Sequence, residues 1–119
     1  MTTININEAK THLSRYAKRV KAGETIIAKD DDGDEAYVML DGEAEVVLPR
    51  NDNHILREGD VFGELALLTQ SKRSADVVAK TNLRLMCLPK AAFMAFLKKN
   101  PERALGFLRN IGVRLQTIT

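Results

Sequence analysis

The middle of the chain consists of a series of short, β-rich runs that limit the folds it can adopt. Between residues 24 and 88 the sequence reads ETIIA, AYVML, EAEVVL, HIL, DVF, SADVVA and LRLMCL, in that order. Turn-forming segments lie between them, namely DDDGD, DG, LPRNDN, EGD and KTN. Six or seven short strands at such close spacing favour an antiparallel double sheet or jelly roll over βαβ units.

The front of the chain has a different, helical pattern. Asn7 is a suitable N-cap and Ala22-Gly23 is a suitable stop. Between them the apolar residues recur at helical spacing, at Ala9, Leu13, Tyr16, Ala17 and Val20. We therefore predict an amphipathic helix over residues 8–21.

Two further helices are predicted at the other end of the chain. Pro89 can occupy the first position of a short helix that runs to Lys99, and Pro101 starts a second helix that runs towards Thr117. The predicted fold is thus mainly β with flanking α: an antiparallel jelly roll (double-stranded β-helix) with one N-terminal helix and two C-terminal helices.

The last of these helices carries an apolar stripe. Its members recur at intervals of four, three and four residues, at Ala104, Leu108, Ile111 and Leu115. This spacing suits a helix that packs on the chain's own barrel as a lid, and it equally suits a seam between two copies in a homodimer. Both interpretations stay open at this stage.

Composition restricts the class of protein. A chain of 119 residues that is 45% hydrophobic and 29% charged fits one ordinary globular fold. No apolar run approaches the roughly 18 residues of a membrane span, and the first residues lack the layout of a secretory signal, so we expect a cytoplasmic protein with no membrane contact. One cysteine (Cys87) and two distant histidines (His12 and His54) provide little for a disulfide framework or a metal site.

Charge is divided unevenly along the chain. The net charge is +2, but residues 21–90 contain nine basic and fourteen acidic residues, whereas both ends are basic. A nucleic-acid binder usually presents a basic face, so this acidic middle makes DNA an unlikely partner. An anion that binds the middle of the chain has to be held by local groups.

Residues 59–75, GDVFGELALLTQSKRSA, contain such groups. A strand that ends at Phe62 meets Gly63, which permits close backbone approach, and ELALL then starts a short helix with free N–H groups. Arg73 returns a few residues later with a fork of donors that suits phosphate. Glu64 would repel a phosphate, but one step away it can accept from a sugar hydroxyl. Phosphate and sugar together indicate a nucleotide.

These residues resemble the phosphate-binding cassette of cyclic nucleotide-binding domains. FGELALL is followed, after four intervening residues, by RSA. The resemblance extends upstream through AGETII, GDEAYV, GEAEV and GD, and downstream through VVAKTNLRLMCLPKAAFMAFLKKNP. It covers residues 23–119.

The resemblance implies a noncatalytic regulatory module with no cofactor, whose ligand is cAMP or possibly cGMP. Arg73 would pair with the cyclic phosphate, Glu64 would accept from the ribose 2′-hydroxyl, and Ser74 would add a further contact. Many cGMP-selective relatives have threonine after the arginine, so Ser74 favours cAMP. The full set of implied ligand-binding residues is Phe62, Gly63, Glu64, Leu65, Ala66, Arg73, Ser74 and Ala75. An effector protein of unknown identity would read the bound state.

Residues 1–29 resemble a second family, the front of Phd/YefM-type antitoxins, which dimerise and bind DNA. The likeness ends in the acidic run after Lys29, where Asp30 also replaces the glycine usual in nucleotide-binding relatives. Aspartate tolerates a left-handed backbone, so the turn can survive. We therefore predict a lead-in over 1–22 and a nucleotide-binding domain over 23–119, with a DNA-binding antitoxin or repressor as the alternative function. An enzyme is disfavoured because the sequence has no metal constellation, no nucleophile beside a base and no GxxxxGK loop.

Overall fold

The computed structural model describes residues 14–99 and contains two four-stranded sheets. The strands are β1 (Ala17–Val20), β2 (Thr25–Ile27), β3 (Glu35–Asp41), β4 (Ala44–Val47), β5 (His54–Leu56), β6 (Val61–Phe62), β7 (Asp76–Ala79) and β8 (Leu83–Pro89). One sheet has the order β1-β8-β3-β6 and the other β2-β7-β4-β5. Every pairing is antiparallel. The predicted antiparallel double sheet is confirmed, and each β-rich run forms a strand.

The central strand β3 explains why AYVML reads as a continuous apolar run. Its side chains alternate between two cores, as the two-residue period of a strand requires. Tyr37 and Met39 face the core between the two sheets, whereas Ala36, Val38 and Leu40 face a second core on the outer side. Both faces are buried, so the strand contains no regular polar position.

Helices cover the outer core. The segment ELALL forms α1 (Glu64–Thr69), and the residues after Pro89 form α2 (Lys90–Lys99), as predicted. Phe93 and Phe96 anchor α2 against the outer face of the sheet. The predicted helix from Pro101, with Ala104, Leu108, Ile111 and Leu115, lies outside the described residues. Within residues 14–99, no helix is long and apolar enough to cross a membrane.

The predicted N-terminal helix is wrong where it reaches the described residues. Ser14–Tyr16 form one turn of 3-10 helix, and residues 17–20 form β1, which pairs with residues 83–86 of β8. Helix propensity is a weak local preference, and pairing with β8 overrides it by completing the hydrogen bonding of that strand. Lys18 and Arg19 are exposed, as is usual on an edge strand. Residues 1–13, on which most of the antitoxin resemblance rests, lie outside the described part, and the boundary after residue 22 stays a prediction.

Candidate functional site

A left-handed glycine turns the chain from β6 into α1. Gly63 is the N-cap of α1 and has φ of 78°, a backbone conformation that residues with a β-carbon rarely adopt. A β-carbon at this position would also lie 2.9 Å from the Nη1 atom of Arg73 and 2.9 Å from the Tyr37 ring. Gly63 therefore serves both the turn and the close approach of two other side chains.

The guanidinium of Arg73 lies at this turn. Its Nη1 donates to the Gly63 carbonyl oxygen at 2.7 Å, and its Nη2 donates to the Glu35 carbonyl oxygen at 2.8 Å. The residue is 5% exposed. A guanidinium has five N–H groups, so three of them remain available among the described residues. Both oxygens that hold it are carbonyl oxygens, so neither of them neutralises the positive charge of the guanidinium.

The backbone of Arg73 is fixed by the acidic loop between β2 and β3. Asp30 N donates to Arg73 O, and Arg73 N donates to Asp31 O, both at 2.8 Å. Asp32 and Lys72 continue this pairing as an isolated bridge and also form an ion pair, which raises the pKa of Lys72. Asp30 has φ of 73°, so it adopts the left-handed backbone that the sequence predicts for this turn. The loop thus sets the position from which the arginine side chain extends.

Gly33 in the same loop packs directly against the site. A β-carbon on Gly33 would lie 2.4 Å from the β-carbon of Ala66 and 3.0 Å from the Cζ atom of Arg73. Real β-carbons essentially never approach another atom to 2.4 Å, and a contact of 3.0 Å is tighter than nine in ten real ones. Hydrogen at position 33 therefore allows the loop to cover the start of α1 and the guanidinium together.

An aromatic pair lies beneath the guanidinium. The rings of Tyr37 and Phe62 stack with centroids 5.1 Å apart and planes 21° apart. The Cζ atom of Arg73 is 5.6 Å from the centroid of the Tyr37 ring. Burial, with a smaller contribution from the charge of Glu35, raises the pKa of Tyr37 to about 12, so the phenol is neutral at physiological pH.

The other predicted site residues differ in exposure. Glu64 begins α1 with its carboxylate buried, at 1% exposed, and Ala66 in the same first turn is also buried. Leu65 and Ala75 are half-buried, and Ser74 is exposed. The structure therefore gathers residues 62–66 and Arg73 at one turn, whereas Ser74 lies beside it at the surface.

A cavity of about 160 Å³ lies among strands β1, β2, β3 and β8. Glu35 and Tyr37, which both contact Arg73, form part of its lining, and Cys87 from β8 forms another part. Burial is the main cause that raises the pKa of Cys87 to about 11, with Glu35 adding to the shift and Lys18 opposing it. The thiol is consequently protonated and weakly nucleophilic at neutral pH.

Sequence reasoning missed three residues of this site: Gly33, Glu35 and Tyr37. Glu35 holds Arg73 through its carbonyl oxygen, which no side-chain pattern reveals. Tyr37 reads as one more apolar residue of a buried strand. Gly33 offered a usable signal, because a glycine inside a polar loop often marks a close approach of backbone to another group.

Comparison with known proteins identifies relatives of this arrangement. Residues 17–100 match the family model described as "Cyclic nucleotide-binding domain". The cAMP-dependent protein kinase regulatory subunit of Schizosaccharomyces pombe is 40% identical over 93 residues, which cover 76% of this chain and 21% of that protein. The cGMP-dependent protein kinase of Plasmodium berghei is 43% identical over 78 residues, which cover 63% of this chain and 9% of that protein.

Solved structures agree with the fold. The catabolite activator protein of Thermus thermophilus superposes with a TM-score of 0.73 over 97% of this chain and 57% of that one, at 24% identity. This likeness concerns the fold alone. The two kinase relatives are much longer than the matched region, so the chain corresponds to a small part of each.

Proposed function

The chain belongs to the cyclic nucleotide-binding domain family, and we propose that it is a noncatalytic regulatory module that binds cAMP or, less favourably, cGMP. The observation that carries this proposal is the buried guanidinium of Arg73 at the Gly63 turn. The guanidinium has a positive charge and three N–H groups that have no partner among the described residues, which suits one singly charged phosphodiester. A cyclic nucleotide contains such a group.

In this proposal the sugar lies one step from the phosphate, at Glu64. The carboxylate is buried at the first position of α1, next to the residue whose carbonyl holds Arg73. An ionised carboxylate accepts hydrogen bonds but donates none, so it suits a hydroxyl and repels a phosphate. These properties support a hydroxyl group at Glu64 and an anionic group at Arg73.

The choice of cAMP over cGMP rests on Ser74. This residue follows Arg73 where many cGMP-selective relatives have threonine, and its side chain is exposed. The relatives are themselves divided, since one is named for cAMP and another for cGMP. We therefore propose cAMP as the preferred ligand and treat cGMP as the alternative that the experiment distinguishes.

Regulation would follow from the elements around the site. We propose that ligand binding tightens the segment from Gly63 to Arg73 and shifts the helices from Lys90 onwards over the base. The stripe formed by Ala104, Leu108, Ile111 and Leu115 would then act as a lid or as the seam of a homodimer. An effector protein or a second copy would respond to this shift.

Thermal unfolding in the presence of nucleotides tests the proposal. Cyclic AMP at 100 times its dissociation constant should stabilise the protein by about 2.7 kcal/mol, because it binds the folded state alone. Cyclic GMP should stabilise it less. 5′-AMP should have the smallest effect, because its phosphate carries close to two negative charges and Arg73 is the one cation that the described residues place at the Gly63 turn. Equal stabilisation by 5′-AMP and cAMP would contradict a site built for a cyclic phosphodiester, and no shift with either cyclic nucleotide would contradict the function.

A further inference from the structure

We infer that Tyr37 is a positioning residue for the phosphate-binding arginine, and that its ring holds the guanidinium of Arg73 in the orientation that accepts the ligand. This inference rests on the proposed function. It assigns a role to a residue of β3 that contacts Arg73 through the face of its ring.

The Tyr37 ring contacts both the Phe62 ring and the Arg73 guanidinium. The Phe62 ring stacks on the Tyr37 ring at 5.1 Å, and the Arg73 guanidinium carbon lies 5.6 Å from the centroid of the Tyr37 ring. A cation within about 6 Å of an aromatic centroid is attracted by the negative face of the ring. Because Phe62 supports Tyr37 by stacking, the ring beneath the cation has little freedom to tilt.

The backbone contacts of Arg73 leave the rotation of the guanidinium plane undetermined. The Gly63 and Glu35 carbonyl oxygens each fix one nitrogen of Arg73, so they set the edge of the guanidinium. Two contacts along one edge still permit the plane to rotate about the line that joins them. Contact with the Tyr37 ring removes that rotation, which would otherwise move the remaining N–H groups away from the ligand.

The chain makes room for this contact at position 63. A β-carbon on Gly63 would approach the Tyr37 ring to 2.9 Å and the Nη1 atom of Arg73 to 2.9 Å. Any larger residue at position 63 would therefore occupy the space beside both groups. The left-handed glycine that starts α1 thus also keeps the ring and the guanidinium adjacent.

The attraction should be stronger here than at a surface. Arg73 and Tyr37 are both buried, so little water competes for the cation. Desolvated cation–π pairs reach the upper end of their usual range, which corresponds to about 10- to 30-fold in an equilibrium constant. The phenol is neutral up to about pH 12, so this contribution should not change between pH 6 and 9.

Calorimetric titration of cAMP into the full chain and four variants tests the inference. Tyr37→Leu removes the aromatic face, and we expect cAMP to bind about 10- to 30-fold more weakly. Tyr37→Phe keeps the face and should restore affinity to within about 2-fold of the original. Val38→Ala is the matched structural control, because Val38 is the next residue of β3, is buried and faces the other core. It should destabilise folding while leaving affinity within about 2-fold. Arg73→Ala reports whether the arginine itself carries the binding.

A graded series separates the ring's electrostatics from its shape. Replacement of Tyr37 by phenylalanine, trifluorophenylalanine and pentafluorophenylalanine keeps the aromatic volume while it progressively removes the negative face. A positioning role predicts that cAMP affinity falls stepwise along this series. This measurement also decides the matter if Tyr37→Leu does not fold.

The outcomes distinguish this inference from the proposed function. If the unmodified chain binds neither cAMP nor cGMP, the proposed function fails and this inference fails with it. If the chain binds cAMP and Arg73→Ala abolishes binding, but the fluorinated variants all bind as tightly as Tyr37→Phe, the function stands and the positioning role is overturned. An equal loss of affinity in Val38→Ala and Tyr37→Leu would likewise overturn it, because a general loss of packing would then explain both.

Discussion

Gly33 and Arg73 are in direct contact across the site, and a β-carbon on Gly33 would lie 3.0 Å from the Cζ atom of the guanidinium. The same β-carbon would lie 2.4 Å from that of Ala66. The acidic loop therefore limits where the guanidinium can be, and the space at position 33 is part of the site.

Gly33→Ala should consequently weaken ligand binding and folding together. The added methyl group has to displace Ala66 or Arg73, and overpacking of this kind lowers the free energy of unfolding by about 1–3 kcal/mol. We expect cAMP affinity to fall at least about tenfold, measured by calorimetry. Gly23→Ala is the control, since Gly23 is also a loop glycine but has no heavy atom within 4 Å of its added β-carbon. Gly23 has a left-handed φ of 91°, so Gly23→Ala should destabilise the protein. The affinity of this variant for cAMP should be unchanged. Unaltered affinity in Gly33→Ala would contradict the contact.

Asp30→Gly should stabilise the protein. Asp30 has φ of 73°, and a left-handed backbone is unfavourable for residues other than glycine by roughly 1–2 kcal/mol. The greater freedom of glycine in the unfolded chain offsets part of this gain, so we expect the free energy of unfolding to rise by about 0.5 kcal/mol.

Asp31→Gly is the matched control for that measurement. It also removes a carboxylate from this loop, but Asp31 does not have a positive φ. Because glycine there gains freedom in the unfolded chain and relieves no strain, the free energy of unfolding should fall by about 0.5–1 kcal/mol. Urea denaturation of both variants gives the comparison. Equal changes in the two would show that charge, and not backbone conformation, controls the stability of the loop.

Glu64→Gln should weaken binding through the sugar. Glutamine keeps the shape of the buried side chain but loses the charge that strengthens its hydrogen bond to a hydroxyl. We expect about a tenfold loss of affinity for cAMP and almost no change for 2′-deoxy-cAMP, which lacks that hydroxyl. Competition binding with both ligands provides the test. The same loss for both ligands would place Glu64 away from the 2′-hydroxyl.

Cys87 should react slowly with thiol reagents in the folded protein. Burial, reinforced by Glu35, raises the pKa of Cys87 from 9.0 to about 11, so the thiolate is scarce at pH 7–8. The reaction rate should rise steeply as pH approaches 11, and protein unfolded in urea should react much faster at pH 8. Because the folded state holds the proton more tightly, this group has no effect on stability below pH 9 and lowers it between pH 9 and 11. Equal rates in folded and unfolded protein at pH 8 would contradict the burial of the thiol.

The strands and the turn at Gly63 could be predicted because their signals are local. Short β-rich runs between turn residues marked β2 to β8, and a glycine before ELALL marked the start of α1. Arg73 was a candidate for binding phosphate because of its position after that helix. The structure places its guanidinium against the carbonyl oxygens of Gly63 and Glu35, and the phosphate-binding role stays a prediction.

The remaining features depend on contacts between distant parts of the chain. Residues 17–20 fit a helical pattern as well as a strand, and only their pairing with residues 83–86 decides between them. Tyr37 and Arg73 are 36 positions apart in the sequence, and their contact exists because β3 passes beneath the segment that precedes β7. No local pattern identifies such a pair.

Isothermal titration calorimetry of cAMP into the unmodified chain and into Arg73→Ala tests whether Arg73 binds the phosphate of this ligand. We predict saturable binding of one cAMP per chain and a loss of about 2–5 kcal/mol in binding free energy for Arg73→Ala, because the variant leaves the bound phosphate without its charged partner. Arg73→Lys should recover part of this loss, since it restores the charge without the planar fork. Equal affinity of the unmodified chain and Arg73→Ala would contradict the account.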